Sequence, residues 1–571
     1  MRIPRPTKLW TRTVALAAAG TLAAGALAAC GADSAGSAST GSSDTSAAEI
    51  AATDNSGRSA QDVLAANLSS EETAALADQT WDTADEVAVA LDGDTASASG
   101  DGVTVDGSTV TITQPGTYRV SGTLDDGQVV VDASADGVVR LVLDGAEITS
   151  STGAAIDVRD ADQVSVVLAD GSTNRLEDAA EYADTTSDNA ANAALYSTAD
   201  LAVSGTGALE VVGNANDGIT GKDGLVVAGG DISVTAADDA IRGKDYLVVS
   251  GGTIDVQAGG DGLKSDADDD ATAGYVALTG GDVTVEAGDD GAQAFTDIAI
   301  TDGSLTIEKS VEGLEAATIA ISGGDVDITS SDDGLNATVK EAEDDTATDD
   351  SATGTDDQAA PDQGAAPEDG QAPQGGGGGM DEVQDGASLT VTGGTLHVDA
   401  EGDGLDSNGV AVISGGDVVI EGPTNGGNGA LDSAGGLTVS GGTLLAVGSS
   451  GMAEAPGTDS SQGWVALTAD STLEAGTEVA VVDADGTQVA TLTLTKPAQS
   501  VVYSGPEITS GDTYTLTADG TEVGTAAAGE APAGGMGGGP GGGGQPGQDA
   551  PDGQGPQGAQ GEQSSSGTAT S

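Results

Sequence analysis

Leu225-Val-Val-Ala-Gly-Gly-Asp-Ile-Ser-Val234, followed by Ala237-Asp-Asp-Ala-Ile-Arg242, is the unit from which this chain is built. It recurs as Leu247-Val-Val-Ser-Gly-Gly-Thr-Ile-Asp-Val256 with Gly260-Asp-Gly-Leu-Lys264. Each unit is an apolar strand, a Gly-Gly bend, an alternating strand, an acidic turn and a further apolar residue. Gly229 and Gly251 are 22 residues apart, as are Gly280 and Asp302, and Gly393 and Gly415. A fixed step in this range marks stacked units that cannot bury their apolar faces singly. Short strands with glycine bends at that step predict an all-β parallel β-helix, one coil of about 22 residues per repeat.

Working outward, the regular array is expected over 201–450, after an N-terminal cap and irregular first coils over 60–200. Val63, Leu64, Leu68 and Leu76 are loosely periodic, which predicts a helix within 60–82. Two intervals exceed 22. The surplus in the first is the acidic stretch around Asp266–Thr272; in the second it is 340–386, rich in Asp, Pro, Gln and Gly, whose composition predicts a disordered insert. Insertions in such arrays fall on one edge, often the binding edge. Beyond 450 the repeat stops; 451–527 reads as a small antiparallel β module closing the open end, and 528–571 as a disordered Gly/Pro-rich tail.

At the other end, Arg2, Arg5, Lys8 and Arg12 precede an apolar run from Val14 to Ala29, and Leu27-Ala28-Ala29-Cys30 looks like a bacterial lipobox. Residues 1–29 are thus expected to be a lipoprotein signal peptide, Cys30 the lipid attachment site on the outer face of the membrane, and 30–59 a flexible tether. An ordinary signal peptide or short anchor is the alternative. Cys30 is the only cysteine, so no intramolecular disulfide exists.

Composition excludes several functions. A formal charge of −77, from 93 acidic and 16 basic residues, rules out electrostatic affinity for nucleic acid. Aromatic residues make up 2%, so the core must be Val, Ile, Leu and Ala, and flat aromatic sugar platforms are sparse. The single histidine, His397, lies between inward Leu396 and Val398 and so faces out, leaving no buried histidine for a catalytic triad and no His/Cys cluster for zinc.

Read down the coils, Asp217, Asp239, Asp261, Asp290, Glu312, Asp333 and Asp403 hold matching places at the acidic turn, preceded in three coils by Asp238, Asp289 and Asp332. Carboxylates stacked at the inter-strand spacing of about 4.8 Å repel by roughly 1 kcal/mol in water and 3 to 4 at an effective dielectric near 20. Taken as surface groups, they are expected to stay ionised. Calcium, with six to eight oxygen ligands in flexible geometry, suits Asp217, Asp238, Asp239, Asp261, Asp289, Asp290, Asp332, Asp333 and Asp403. The alternative is that Asp-Gly is simply good turn chemistry. A second column three places on runs Thr220, Arg242, Lys264, Gln293, Glu315, Asn336, Asp406. With Lys222 and Lys244, the cations Arg242 and Lys264 read either as counter-ions or as partners of a bound anion such as a uronate.

Ala237-Asp-Asp-Ala-Ile-Arg-Gly-Lys-Asp-Tyr246, Gly260-Asp-Gly-Leu-Lys-Ser265, Gly274-Tyr275, Gly116-Thr-Tyr118 and Leu141-Val-Leu-Asp-Gly145 resemble the bacterial carbohydrate-binding-domain proteins with a right-handed, pectate-lyase-like parallel β-helix. The resemblance covers roughly residues 100 to 525. It implies binding of acidic polysaccharide such as polygalacturonate, and of cellulose, with calcium in the acidic turns; Asp238, Asp239, Asp261, Lys264 and Ser265 are the best-matched positions, and Ala240 stands where the family usually has Gly. The expectation is a lipid-anchored, monomeric surface protein that binds polysaccharide without cleaving it, with Arg242, Lys244, Lys264 and Ser265 toward the ligand. A calcium-dependent lyase using Arg242 or Lys264 as base, and a structural calcium-binding spacer, are the alternatives.

Overall fold

A computed structural model describes residues 56–77, 80–183, 189–340 and 383–531. The expected signal peptide with Cys30, most of the expected tether, the bulk of the expected 340–386 insert and nearly all of the expected C-terminal tail lie outside the described residues.

The chain is nearly all β, and most strands pair in parallel with their counterparts one repeat later. Leu201 pairs with Leu225, Leu225 with Leu247, Leu247 with Val276 and Val276 with Ile298. The second strand of each unit does the same: Leu209 to Ile232 to Ile254 to Val283. A short third strand follows the acidic turn, and these form a separate sheet that runs in sequence order from Val103 to Ser433. Inward residues of both sheets, among them Val227, Ile232, Val234 and Ile241, are fully or almost fully buried in one continuous aliphatic core. The Gly-Gly bend is sterically required. Gly252 has φ +99°, and a Cβ there would lie 2.9 Å from the Gly230 carbonyl oxygen of the repeat beneath.

Parallel pairing begins before the 22-residue step becomes regular, with Val110 on Val129 and Tyr118 on Leu141. The first strands form antiparallel hairpins, Val87–Gly93 with Thr95–Ala98 and Val103–Asp106 with Thr109–Ile112. At the far end, Ala498–Ser504 pairs antiparallel with both Thr443–Gly448 and Trp464–Leu473, and a four-stranded antiparallel sheet of Glu478–Val482, Gln488–Thr493, Thr513–Ala518 and Thr521–Ala527 packs a second core around Val479, Val481, Tyr514 and Leu516.

The single loose helix expected near residue 60 is instead two short ones, α1 (Ala60–Leu64) and α2 (Glu71–Ala74), within a strap laid across the outside of the array. The strap runs against the direction of the repeats. Gly57 donates to Thr390 Oγ1, Ala60 to Ser322 Oγ, and Leu68 to the Thr272 carbonyl, while Thr73 Oγ1 meets Tyr246 OH at 2.8 Å. Beneath it lies an outward apolar column, Val226, Val248, Ala277, Ala299 and Ala320. That column explains why strands such as Leu225-Val-Val are apolar without alternation: both faces are covered.

Candidate functional site

The acidic turn sits between the second strand of each repeat and the short third strand. Its backbone carbonyls accept from the neighbouring repeat: Gly218 N–H donates to Asp239, Ala240 to Asp261, Gly262 to Asp290, Gly291 to Glu312, Gly313 to Asp333 and Gly334 to Asp403. Asp217 to Asp403 are therefore one physical column. The second column is also in register, with Thr220, Arg242, Lys264, Gln293, Glu315, Asn336 and Asp406 each paired to the next.

The expectation that these carboxylates lie on the surface is overturned. Asp217 is 0% exposed, Asp261 2%, Asp239 3% and Asp290 4%. The side chains of Asp239, Asp261, Asp333 and Asp403 turn along the stack and cap the next repeat. Asp239 Oδ1 accepts from Asp261 N–H at 3.0 Å, Asp261 Oδ1 from Asp290 N–H at 3.0 Å, Asp333 Oδ1 from Asp403 N–H at 2.6 Å, and Asp403 Oδ1 from Gly429 N–H at 2.5 Å. Turn capping is thus one job of the ladder. The doubled acids Asp238, Asp289 and Asp332 are exposed.

Burial raises the affinity of these groups for protons, because it penalises the charged form. Asp290 is pushed up to about 9, by burial first and then by Asp261, Glu315 and Glu312. Glu312 rises to about 8 through burial and Glu315. Asp217 and Asp403 rise to about 7 and Asp333 to about 6, burial being the main cause in each.

Two groups of acids converge closely enough to hold one ion, each with its oxygens within 4.8 Å of one another. The first is Asp217, Asp238 and Asp239; the second is Asp290, Glu312 and Glu315. Cations already serve the first neighbourhood. Arg242 Nη1 lies 3.8 Å from Asp217 and its other nitrogen pairs with Asp266. Lys264 Nζ sits between rungs, 2.8 Å from Asp261 and 3.1 Å from Asp239. Burial works against the Lys264 charge, but Asp261 and Asp239 outweigh it and hold the amine above the ordinary lysine range.

The second group is bridged by amides instead. Gln293 Nε2 donates to Asp290 at 3.0 Å and to Glu315 at 3.2 Å, and Asn336 Nδ2 donates to both oxygens of Glu312. Among the described residues, Lys340 Nζ pairs with Glu315, at 2.5 Å. The Asn336 Oδ1 atom is buried and without a hydrogen-bond partner. Three converging carboxylates are oxygen ligands of the kind calcium takes. Neither Glu312 nor Glu315 is among the expected calcium ligands; the signal for Glu312 is its place in the acidic column, and for Glu315 its place in the second column, three residues on.

Of the residues expected to face a ligand, Arg242 and Lys264 are engaged in the ion pairs above, and Lys244 is half-buried, as is the local basic residue Lys222 one rung before it. Ser265 is fully buried and donates to the Lys244 carbonyl at 3.0 Å. The Asp266–Thr272 insertion supplies the Asp266 partner of Arg242 on one side and holds the strap through Thr272 on the other.

Part of the chain matches known proteins. The family described as "Carbohydrate-binding domain-containing protein" matches residues 106–357. A carbohydrate-binding domain-containing protein of Acetivibrio thermocellus is 41% identical over 150 residues, which is 26% of this chain and 52% of that protein; the match spans about half the relative's length. A solved structure, the polysaccharide lyase-like protein from C. thermocellum as a gadolinium derivative, is 35% identical and covers 42% of this chain and 94% of its own, with a TM-score of 0.36. The chain is thus similar to carbohydrate-binding-domain proteins through the repeats that carry the ladder from Asp217 to Asp333, and the strands beyond 383 lie outside the matched span.

Proposed function

We propose that the chain forms a right-handed parallel β-helix that binds acidic polysaccharide without cleaving it, through calcium held at the Asp290–Glu312–Glu315 corner. The observation that carries this reading is that group itself: three converging carboxylates, paired with one lysine, in a span similar to carbohydrate-binding-domain proteins. Calcium there displaces the protons that burial otherwise imposes and keeps coordination positions for sugar carboxylates. Lys244 and Lys222, two and three rungs before Asp290, supply cations for a polyuronate lying along the corner.

A lyase reading asks Arg242 or Lys264 to act as base. The acids around them favour their charged forms, which works against proton abstraction. The lipobox at Cys30 supports placement on the outer face of a bacterial membrane by a lipid anchor.

The test is capture of polygalacturonate and of cellulose with calcium and with EDTA. Calcium-dependent retention on polygalacturonate, lost in Asp290→Asn/Glu312→Gln, is expected, with no unsaturated uronide absorbing in the ultraviolet. Failure to retain either polymer under both conditions would sink the binding reading; release of unsaturated uronides would sink the non-catalytic one. Labelling with a lipid precursor, lost on Cys30→Ser, checks the anchor.

A further inference from the structure

We propose that His397, the only histidine of the chain, is a proton-operated latch that fastens the C-terminal strands to the repeat array. The imidazole stands on the outward face of Ser388–Ala400, opposite Asp327 on the preceding strand and Val419 on the following one. Its Nδ1 lies 3.4 Å from Asp327 and its Nε2 3.6 Å from Glu421. Asp327 is exposed, but the Glu421 side chain is 2% exposed. Glu421 reaches past the array: its Oε2 accepts from Thr495 N–H at 2.9 Å and Thr495 Oγ1 at 2.7 Å. Thr495 belongs to the turn between Gln488–Thr493, in the four-stranded C-terminal sheet, and Ala498–Ser504, which joins the main sheet.

The charged groups facing this junction come from each element packed on it. The preceding strand brings Asp327, with Asp325 two residues away on the same outward row; the histidine's own strand brings Asp399, and the following strand Glu421. The turn brings Lys496, which is 2.6 Å from Asp399 and 3.8 Å from Glu401 and donates to the Ala400 carbonyl. Lys496 is thus committed to Asp399, and among the described residues His397 is the cation within ion-pair reach of Glu421. Protonated, it neutralises a buried carboxylate while Thr495 holds that carboxylate in place. Neutral, it leaves Glu421 charged and buried with hydrogen bonds alone, and rotation of Glu421 toward water then releases Thr495.

Glu421 first, against the effect of burial, with Asp327 in support, holds His397 above its ordinary value of 6.5. A group raised on folding contributes stability that is complete below the unfolded value and lost as pH rises through the folded one. The latch is therefore closed in mildly acidic medium and opens above the His397 midpoint.

A single histidine makes the experiment direct. Ring-labelled histidine in the full chain gives one imidazole titration, and hydrogen exchange of the Thr495 amide, corrected for intrinsic chemistry, reads the turn. Expected are a midpoint above 6.5 and Thr495 protection that falls through that same midpoint, about tenfold for each unit of the shift. His397→Gln should show the low, high-pH level of protection at every pH. Asp327→Asn, at an exposed position, should lower the midpoint without endangering the fold, and Glu421→Gln should lower it further. A midpoint at or below 6.5, or Thr495 protection indifferent to the imidazole titration, overturns the proposal.

Discussion

Two neighbouring stretches of one acidic column solve the same electrostatic problem differently. Between Asp239 and Asp261 the chain places Lys264, whose amine lies within 3.1 Å of both carboxylates. One repeat further, where Asp290, Glu312 and Glu315 meet, the equivalent place in the register is occupied by Gln293. An amide can donate to two carboxylates but cancels no charge, so burial there drives proton uptake, to about 9 at Asp290 and about 8 at Glu312. The backbone of the two rungs is alike; one side chain in the second column decides whether the paired carboxylates share an ammonium or an amide.

The comparison is broken or sharpened most strongly at Lys264. Lys264→Met leaves two buried carboxylates facing each other, and removal of one partner from a buried pair typically costs about 3 to 5 kcal/mol. Urea denaturation should show a loss of that order at pH 8 and a smaller one at pH 5, where a proton replaces the amine. If added calcium then rescues the variant, the two rungs are interchangeable; equal losses at both pH values would show that the amine is not balancing charge.

Calcium should act next most strongly, and at the second rung. A ligand at a hundredfold excess over its dissociation constant stabilises the folded state by about 2.7 kcal/mol. Thermal melts in calcium against EDTA should show a gain of this size, and Asp290→Asn/Glu312→Gln should abolish it. A gain that survives this double change would move the ion to another corner, the Asp217–Asp238–Asp239 group first.

The pH dependence of the metal-free chain tests the same rung without a ligand. Asp290 and Glu312 bind protons more tightly folded than unfolded, so they favour folding in acid and oppose it as pH climbs from their ordinary values of 3.8 and 4.5 through about 9 and about 8. Stability in EDTA should therefore fall between pH 5 and pH 9, Glu312→Gln should flatten the fall, and calcium should flatten it in the parent chain. A rise with pH in EDTA would contradict the burial of these groups. The smallest effect is expected at Ser265→Ala, which deletes a buried hydrogen bond to the Lys244 carbonyl: about 1 kcal/mol, with polysaccharide retention and pH slope unchanged.

Much of this was legible before any coordinates. The step from Gly229 to Gly251 gave the repeat, and equal steps gave both columns, whose members the backbone bonds and strand register place side by side. Depth was not legible. Asp-Gly in a turn reads as solvent-facing, yet Asp239 and Asp261 are covered because each side chain folds onto the amide of the next repeat. The strap was hidden for another reason. Its bonds join residues as far apart as Gly57 and Thr390, and no local period reports a partner more than 300 positions away. The one trace it left was the unbroken apolar run of strands such as Leu225-Val-Val.

The sequence by itself determined that the chain stacks, and in what register: a two-residue alternation on a fixed step leaves its apolar faces no partner except the neighbouring repeat. Only the tertiary structure decided which acids keep their charge, because ionisation depends on how much water and which neighbours surround a group. Lys264 and Gln293 are equivalent letters of one column; the closure of the corner around them gives one rung an internal counter-charge and leaves the other holding protons.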